Sequence, residues 1–342
     1  MSLLQAPRFD AAGAERLARD LYGADASAAP LPSERDQNFL LTTAAGDRFV
    51  LKIANGGEDR AMLEAQNAAM AHVAARVAFC PRVVPARSGD AIALTPDGNH
   101  FVRLVTYLAG MPLAKTESRP PALFENLGHA IGQLDAALAD FDHPAIHRDF
   151  HWDLANAEKV VREHVWLVPG SHRMLVAEVS LAALEALDAT RQALRRSAVH
   201  HDANDWNVLV SNAGESDGVS IAGIIDFGDM VYSWTVADPA VAAAYSMLDA
   251  PDPLASVAAI AAGYQSAYEL HDEELAALFP LAALRLCMSA CIAAWQQQQR
   301  PDDEYLAISQ GPIRRTLPAV AAIDLQVAAA TVRAAADSAQ RR

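Results

Sequence analysis

The sequence predicts an α+β protein with a small N-terminal lobe built on a β-sheet and a larger, mostly helical C-terminal lobe. Up to residue 108, short runs rich in β-branched and aromatic residues surround a strong helical pattern. From residue 121 onward, long helical patterns dominate. Gly110 and Pro112 interrupt the chain between these parts. We therefore expect two domains, 1–108 and 109–342, with a cleft between them.

The elements of each lobe follow from local patterns. In the N-terminal lobe we predict a helix over 10–22, a hairpin with arms 39–43 and 48–54, a helix over 60–76, and a second hairpin with arms 91–95 and 100–108. In the C-terminal lobe we predict helices over 122–141, 173–197, 236–248 and 279–299, and two strands, 207–210 and 219–226. The last residues, 328–342, are expected to form a surface helix or a frayed tail.

Composition and charge exclude several classes of function. The chain has 42 Asp and Glu against 27 Lys and Arg, a net charge of -15, which disfavours a broad nucleic-acid surface. No uninterrupted apolar stretch reaches about 18 residues, and the N-terminus lacks the pattern of a signal peptide. We therefore expect a cytoplasmic protein that binds neither nucleic acid nor membrane. The scattered Cys80, Cys287 and Cys291 do not suggest a disulfide framework or a zinc site.

Lysine is rare in this chain, which makes the position of Lys52 informative. The three lysines are Lys52, Lys115 and Lys159, and only Lys52 lies within an apolar strand, in FVLKIA. A buried ammonium group costs several kcal/mol unless an anion pairs with it. Taken alone, Lys52 could extend to solvent. Glu64, in the helix that follows, is a candidate partner that would orient the lysine toward a phosphate, and Glu58 is a nearer competitor in a loop.

Two polar motifs further along the chain have the residue types that phosphoryl transfer from a metal-bound nucleotide needs. In HHDANDWN, Asp202 precedes Asn207 by five residues at the start of a predicted strand, and in GIIDFGD, Asp226 ends another. Asp202 can accept a hydrogen bond from a substrate hydroxyl, while oxygens of Asn207 and Asp226 hold Mg²⁺. Together with the upstream lysine, this spacing favours a phosphotransferase site over surface acids in β-turns.

These motifs resemble those of the aminoglycoside phosphotransferase and choline kinase superfamily, which shares the protein-kinase fold. The resemblance spans about residues 30–295 and is closest to the hydroxylysine kinase group, through SERDQNFLL, FVLKI, LEAQNAAM, HHDANDWN and GIIDFGDM. It implies a protein-kinase-like bilobal fold whose N-terminal lobe binds ATP. By this resemblance Lys52 would bind the α- and β-phosphates and pair with Glu64, Asp202 would be the catalytic acid, and Asn207 with Asp226 would ligate magnesium.

The resemblance also assigns nucleotide contacts outside these motifs. Ser33 would begin a phosphate loop that runs to Asn38. The loop contains no glycine, so its contacts must come from backbone N–H groups and Ser33 Oγ. At the lobe boundary, Thr106, Tyr107 and Leu108 are further candidates for nucleotide binding.

One residue departs from the family pattern, and one segment resembles a catalytic loop without its full pattern. His201 stands where the superfamily usually has glycine, which reduces backbone freedom and could narrow the acceptor pocket. The letters HRD recur in HRDFHWDLAN, residues 147–156, but Leu154 rather than asparagine follows Asp149 by five residues. We therefore interpret this segment as structural, with Trp152 as a core anchor.

Three further residues have two interpretations each. His200 either holds the loop near Asp226 or acts as a second base, and the first is favoured. Asp238, before Pro239, is expected to cap a helix, and the resemblance adds that the matching aspartate ties down the catalytic loop. Arg285 is a charge in an apolar helix that needs either an internal acid or a substrate carboxylate, and the internal acid is favoured.

The sequence therefore predicts a small-molecule kinase that uses Mg-ATP to phosphorylate a hydroxyl group of an amine-bearing metabolite. Hydroxylysine or a related hydroxylated amino acid is the favoured acceptor. One alternative is another amino-alcohol or aminoglycoside kinase, because no motif records the acceptor-binding side chains. The other is a nucleotide-binding regulator without activity, which the intact set of Lys52, Asp202, Asn207 and Asp226 disfavours. Oligomeric state is not predicted.

Overall fold

Residues 6–33, 35–211, 220–301 and 308–341 are described by a computed structural model, in which the chain divides into two units. The first unit is Met1–Ala109 with His143–Ala145, and the second is Gly110–Asp142 with Ile146–Arg342. One antiparallel sheet forms the basis of the first unit, whereas helices dominate the second. The predicted α+β class is confirmed.

The first unit is a twisted antiparallel sheet with helices beside it. Its elements are α1 (Ala11–Leu17), β1 (Ala26–Leu31), β2 (Gln37–Thr43), β3 (Arg48–Ile53), α2 (Arg60–Val73), β4 (Val83–Val84), β5 (Ala93–Leu94) and β6 (Phe101–Thr106). The strand order is β1-β2-β3-β6-β4, and β5 also pairs with β6. The register places Asn38, Lys52 and Arg103 opposite one another on neighbouring strands. These three side chains therefore share one face of the sheet.

Most predicted elements of this unit are present with shifted ends. The helix predicted from residue 10 is α-helical only to Leu17 and continues as a π-helical turn over Ala18–Tyr22. Strand β1 was not predicted, because its sequence ASAAPL is rich in alanine and proline, which have low strand propensity. It forms as an edge strand beside β2, where the missing N–H of Pro30 is tolerated.

The second unit carries its short strands between helices. Its elements are β7 (Met111–Pro112), α3 (Pro121–Leu138), α4 (Ala157–His164), α5 (Gly170–Leu187), β8 (Arg196–Val199), β9 (Val208–Ser211), β10 (Ser220–Ile224), β11 (Val231–Trp234), α6 (Ala237–Ser246), α7 (Pro253–Ala267), α8 (Asp272–Gln299), α9 (Gln310–Ala321) and α10 (Leu325–Gln340). Strands β10, β9 and β7 form one antiparallel sheet, and β11 pairs with β8 in another. The connection between β8 and β9 and the turn between β10 and β11 contain the two polar motifs.

Predictions for this unit differ from the structure in the extent of elements and in three strands that were missed. The helix predicted over 173–197 ends at Leu187, because residues 196–199 instead pair with β11 as strand β8. Strands β7, β8 and β11 were missed, since two to four residues are too few to show a period. The predicted strand 219–226 is present from Ser220 to Ile224, and its first residue lies outside the described residues.

Helix α8 forms the centre of the helical core. It contacts α4, α5, α6 and α10. By length and composition it could cross a membrane, but 94% of its most apolar window is buried inside the protein, as in the core helix of a soluble protein. Cys287 and Cys291 lie free within it, and burial raises the pKa of each thiol to about 12. They are therefore unreactive core residues.

Glycines allow α3 and α7 to approach each other closely. A Cβ atom at Gly263 would lie 1.8 Å from the carbonyl oxygen of Glu125, and one at Gly128 would lie 2.1 Å from the carbonyl oxygen of Ile260. Both clashes are with backbone atoms, which cannot rotate away. Only glycine therefore fits at these two positions.

Candidate active site

The connection between β8 and β9 is held at its start by a buried aspartate. His201 has a backbone φ of 65°, in the left-handed region that favours glycine, the residue that the resemblance leads one to expect here. The Asp238 carboxylate, fully buried in α6, accepts the N–H of His200 at 3.0 Å and that of His201 at 2.7 Å. Asp238 is not the helix cap that was predicted, because α6 begins at Ala237 and Val236 is its N-cap. Its implied role in tying down the loop is confirmed.

A second buried carboxyl lies close to this anchor. Asp135 of α3 is fully buried and accepts a hydrogen bond from the Tyr264 hydroxyl at 2.7 Å. Burial, followed by the charge of Asp238, raises the pKa of Asp135 well above its usual range. Burial thus favours the protonated form of Asp135 close to the loop anchor.

The two histidines have structural roles. The N–H of Asp202 donates to His200 Nδ1 at 3.3 Å, and His200 Nε2 lies 3.2 Å from the carbonyl oxygen of Ile225, the residue before Asp226. His200 thus links the two motifs, as predicted. His201 is fully buried, its Nε2 accepts the N–H of Leu154 at 3.1 Å, and burial lowers its pKa to about 3. Its neutral ring packs against segment 147–156.

Three donors hold the Asp202 carboxylate. Oδ1 accepts Asn204 Nδ2 at 2.9 Å and Arg285 Nη2 at 3.3 Å. Oδ2 accepts Asn207 Nδ2 at 2.6 Å. Both oxygens are therefore fixed in direction, and Oδ2 accepts fewer protein donors than Oδ1 does. The internal acid predicted as the partner of Arg285 is Asp202.

The two predicted metal ligands are joined through the backbone. The N–H of Ile225 donates to the carbonyl oxygen of Asn207 at 3.0 Å, which brings the ends of β9 and β10 together. Asp226 has a φ of 67°, and its Oδ1 accepts the N–H of Gly228 at 3.2 Å in the turn that follows. The amide nitrogen of Asn207 is used by Asp202, so its Oδ1 is the side-chain atom that remains for a cation.

The charges around Asp202 fit a divalent cation. Burial and then the neighbouring Asp229 raise the pKa of Asp202 well above its usual range, with a smaller contribution from Asp226, while Arg285 opposes the shift. The carboxylates of Asp229 and Asp226 thus lie close enough to Asp202 to act on its charge. Carboxylate and amide oxygens are the ligands that Mg²⁺ prefers, and Mg²⁺ takes its other ligands from water and phosphate. Among the described residues no three His, Cys, Asp or Glu side chains form a metal cage, and a nucleotide-bound ion needs none.

Segment 147–156 supports both motifs from one side. Arg148 Nη2 donates to the carbonyl oxygens of Gly228 at 2.9 Å and Met230 at 3.0 Å, in the turn after Asp226. Trp152 packs against the cluster that contains Phe150 and offers its carbonyl oxygen to Arg285. The predicted structural interpretation of this HRD look-alike is confirmed. The segment donates hydrogen bonds to the turn after Asp226 and to His201. It has Leu154 where a catalytic loop has asparagine.

In the first unit, the surroundings of Lys52 differ from the expectation. Lys52 is half-buried and shares its sheet face with Arg103, which bonds to Gln66 and Asn67 of α2. Glu64 lies on the exposed side of α2 and accepts Arg60 Nε at 2.8 Å. The structure thus gives Glu64 a different partner from the predicted one, because residues one helical turn apart on an exposed side pair readily.

The other predicted nucleotide contacts lie at the ends of strands. Ser33 lies in the connection from β1 to β2, whose Glu34 is outside the described residues. Thr106 ends β6, and its Oγ1 accepts the N–H of Arg82 at 2.9 Å. The N–H of Tyr107 donates to the carbonyl oxygen of Arg48 at 3.3 Å, and Leu108 follows half-buried. These contacts do not test nucleotide binding, which stays a prediction for all of these residues.

Sequence reasoning missed two residues of the site. Asn204 fixes Asp202 from within the same loop, but an asparagine in a polar run gives no periodic signal. Arg148 acts on carbonyl oxygens about 80 residues further along the chain, which no local pattern could indicate. Arg285 was recognisable as a costly charge in an apolar helix, although its particular partner was not.

The chain is similar to known proteins along most of its length. The model of the phosphotransferase enzyme family, APH, matches residues 27–278. The chain is 32% identical over 327 residues to the hydroxylysine kinase of Mus musculus, covering 89% of this chain and 87% of that protein.

Two solved structures share the fold. Amicoumacin kinase hAmiN, in complex with AMP-PNP, Ca²⁺ and Ami, has a TM-score of 0.66 and 17% identity over 93% of this chain and 97% of that one. The microcompartment-associated aminopropanol kinase has a TM-score of 0.64 and 19% identity over 97% of both chains. Because the family model spans both units and includes the loops of Asp202, Asn207 and Asp226, the chain belongs to the phosphotransferase enzyme family and is a kinase that phosphorylates a hydroxyl group.

Proposed function

We propose that this kinase transfers the γ-phosphoryl group of Mg-ATP to the hydroxyl group of hydroxylysine or a similar hydroxylated amino acid. The observation that carries the choice of acceptor is the 32% identity to a hydroxylysine kinase across 89% of the chain. The arrangement of Asp202, Asn207 and Asp226 supports the chemistry. A cytoplasmic location fits the use of ATP.

Asp202 is the proposed catalytic residue. The acceptor hydroxyl donates a hydrogen bond to Oδ2, which accepts one protein donor where Oδ1 accepts two. As the bond from the hydroxyl oxygen to the γ-phosphorus forms, the bond from that phosphorus to the β,γ-bridging oxygen breaks and ADP leaves, while the hydroxyl proton passes to this carboxylate. Burial and the charge of Asp229 raise the pKa of Asp202, which makes it a stronger base. The transition state is loose, so holding the hydroxyl in line contributes as much as removing its proton.

The nucleotide is assigned to the remaining predicted residues. Asn207 Oδ1 and the Asp226 carboxylate would hold Mg²⁺, which neutralises phosphate charge during transfer. Lys52 is assigned to the α- and β-phosphates, with Ser33 and the loop behind it as a second phosphate contact. Residues 106–108 are assigned to the base. Glu64 is left out of this assignment, because its carboxylate is bonded to Arg60.

The acceptor is tested by an ADP-release assay over a panel of hydroxylated amino acids, amino alcohols and aminoglycosides. We expect the highest kcat/KM with hydroxylysine. Asp202→Asn should lower kcat by about 10² or more with nearly unchanged nucleotide affinity, because general-base and positioning effects have that size. A higher kcat/KM with an amino alcohol or aminoglycoside would contradict the proposed acceptor. Nucleotide binding without turnover on any acceptor would show a silent regulator.

The nucleotide assignment of Lys52 has a matched control. Lys52→Met should weaken ATP binding in calorimetry and lower turnover, with little loss of thermal stability. Lys159→Met makes the same change in a half-exposed lysine that pairs with Asp149 at 3.1 Å, and it should leave ATP affinity unchanged. Equal ATP affinities in the two variants would contradict the assignment.

A further inference from the structure

Arg285 is buried in the core next to the proposed catalytic residue. It lies in α8 and is 2% exposed, which makes it one of the largest fully buried side chains among the described residues. Its guanidinium carbon lies 4.5 Å from the centre of the Trp152 ring and 6.0 Å from that of Tyr245. A cation enclosed in this way is costly unless charge and hydrogen bonds compensate it.

The two Nη atoms of Arg285 donate to the catalytic loop and to segment 147–156 beside it. Nη1 donates to the carbonyl oxygen of Trp152 at 3.1 Å, and Nη2 donates to Asp202 Oδ1 at 3.3 Å. Nε is buried and has no hydrogen-bond partner in the described part of the chain. Arg285 therefore leaves one N–H group without a partner and makes one hydrogen bond to the carboxylate. It does not form the stronger geometry in which two N–H groups bind both carboxylate oxygens. The direction of the guanidinium is set by the aromatic rings.

Arg285 differs in kind from the other two donors to Asp202. Asn204 and Asn207 belong to the same loop as the carboxylate, so they move with it. Arg285 comes from the central helix, 83 residues further along the chain. It is therefore the contact that fixes the carboxylate relative to the core rather than relative to its own loop.

Segment 147–156 completes this connection. Trp152 supplies both the ring that faces Arg285 and the carbonyl oxygen that accepts from it. Two residues later, the N–H of Leu154 donates to His201 Nε2, beside the left-handed turn that precedes Asp202. The segment thus aligns the arginine and the loop against each other.

We propose that Arg285 is a positioning residue, which holds Asp202 Oδ1 so that Oδ2 faces the acceptor hydroxyl. The proposal rests on the catalytic role of Asp202 in the proposed function. The competing role, recognition of an acceptor carboxylate, is disfavoured because the guanidinium is enclosed and both of its Nη atoms already donate within the protein. A misplacement of about 1 Å at the reacting atoms can cost 10²-fold in rate.

The test uses the whole chain of 342 residues with Arg285→Lys and Arg285→Met, and measures kcat, both KM values and thermal melting. We expect kcat to fall about 10²-fold in the methionine variant and about tenfold in the lysine variant, with each KM within about threefold of the wild type. Arg195→Lys is the matched control, because Arg195 also pairs with a fully buried acid, Glu274, at 2.5 Å but donates nothing to the loop. It should lower the melting temperature and leave kcat unchanged.

The acceptor pair separates positioning from binding. The variants are assayed with hydroxylysine and with 1,5-diaminopentan-2-ol, which has the same hydroxyl and amines but no carboxylate. Equal losses in kcat on both support the proposal. A rise in KM confined to hydroxylysine would show carboxylate binding and overturn it.

Other outcomes are also decisive. If Arg285→Met does not fold, Arg285→Lys settles the question, since a wild-type kcat in that variant would overturn the proposal. If the wild type is active and the Arg285 variants have the same kcat, the role of Arg285 is refuted and the proposed function stands. If the wild type turns over neither acceptor but reacts with another compound of the panel, the proposed acceptor is refuted. The kcat values of the Arg285 variants with that compound then decide the role of Arg285.

Discussion

Replacing Asp238 by asparagine breaks the anchor of the loop that contains Asp202, with a minimal change in shape. In the native protein each carboxylate oxygen accepts one backbone N–H, from His200 at 3.0 Å and from His201 at 2.7 Å. An asparagine has one acceptor oxygen and one NH₂ group. One N–H therefore keeps its partner, and the other meets a second donor inside a fully buried site.

The size of the effect follows from these two contacts. A hydrogen bond to a charged group is worth about 1.5–3 kcal/mol, and leaving a buried donor unsatisfied costs about 1–3 kcal/mol. The left-handed backbone of His201 costs about 1–2 kcal/mol, which the anchor must offset. We expect Asp238→Asn to lose about 3 kcal/mol of stability and the turn at His201 to relax. Because Asp202 is the next residue, kcat should fall about 10²-fold.

Thermal melting and steady-state kinetics on the same preparation test this expectation. The matched control is Asp252→Asn, since Asp252 caps α7 by accepting the N–H of Ala255 at 3.0 Å and asparagine is an equally good cap. The control should match the wild type in both measurements. If Asp238→Asn keeps a wild-type kcat, the two N–H contacts do not position the loop, and the reasoning fails.

Further predictions concern the metal, pH and packing. Asp226→Ala should abolish Mg-dependent ATP binding in calorimetry and Asp229→Ala should weaken it mildly; the opposite order would exchange the ligand assignment. Burial and a neighbouring carboxylate raise the pKa of Asp135. The native state therefore binds this proton more tightly than the unfolded chain does, and the stability that this provides is lost as pH rises above about 4. Asp135→Asn stays uncharged and keeps the acceptor, so its melting temperature should fall less than that of the wild type between pH 4 and 8; parallel profiles would contradict this. Gly263→Ala should destabilise by about 2 kcal/mol or more, because its Cβ would lie 1.8 Å from a backbone oxygen, whereas Gly170→Ala, with open space, should melt like the wild type.

The part of the site that lies close together in the chain could be predicted from the sequence. Asp202 and Asn207 lie within one loop, and Asp226 lies two residues after the end of the strand that pairs with the one after Asn207. Local spacing and antiparallel pairing were enough to bring the three together. The pairing of Arg285 with Asp202 depends instead on how α8 packs, and no local pattern contains that information.

The structure pairs Glu64 with Arg60 instead of the predicted Lys52, and the reason lies in which side of α2 carries Glu64. Its distance from Lys52 along the chain suited an ion pair, but chain distance does not say which side of a helix faces a sheet. The α2 residues that bond across to the sheet are Gln66 and Asn67, whose partner is Arg103. The buried arginine of β6 gives no signal in the sequence, because arginine is far commoner than lysine in this chain. Short strands such as β8 and β11 were missed because only their partners define them.

The position of Arg285 in the middle of α8 has a consequence for refolding. The loop around Asp202 is held largely by contacts between near neighbours, which form quickly once the strands beside it pair. α8 reaches its buried position only when α4, α5, α6 and α10 have docked on it. We therefore expect the Asp202 carboxylate to acquire its contact with Arg285 only when the helical core is complete. Kinase activity should return after helical content during refolding, and so report the final docking step.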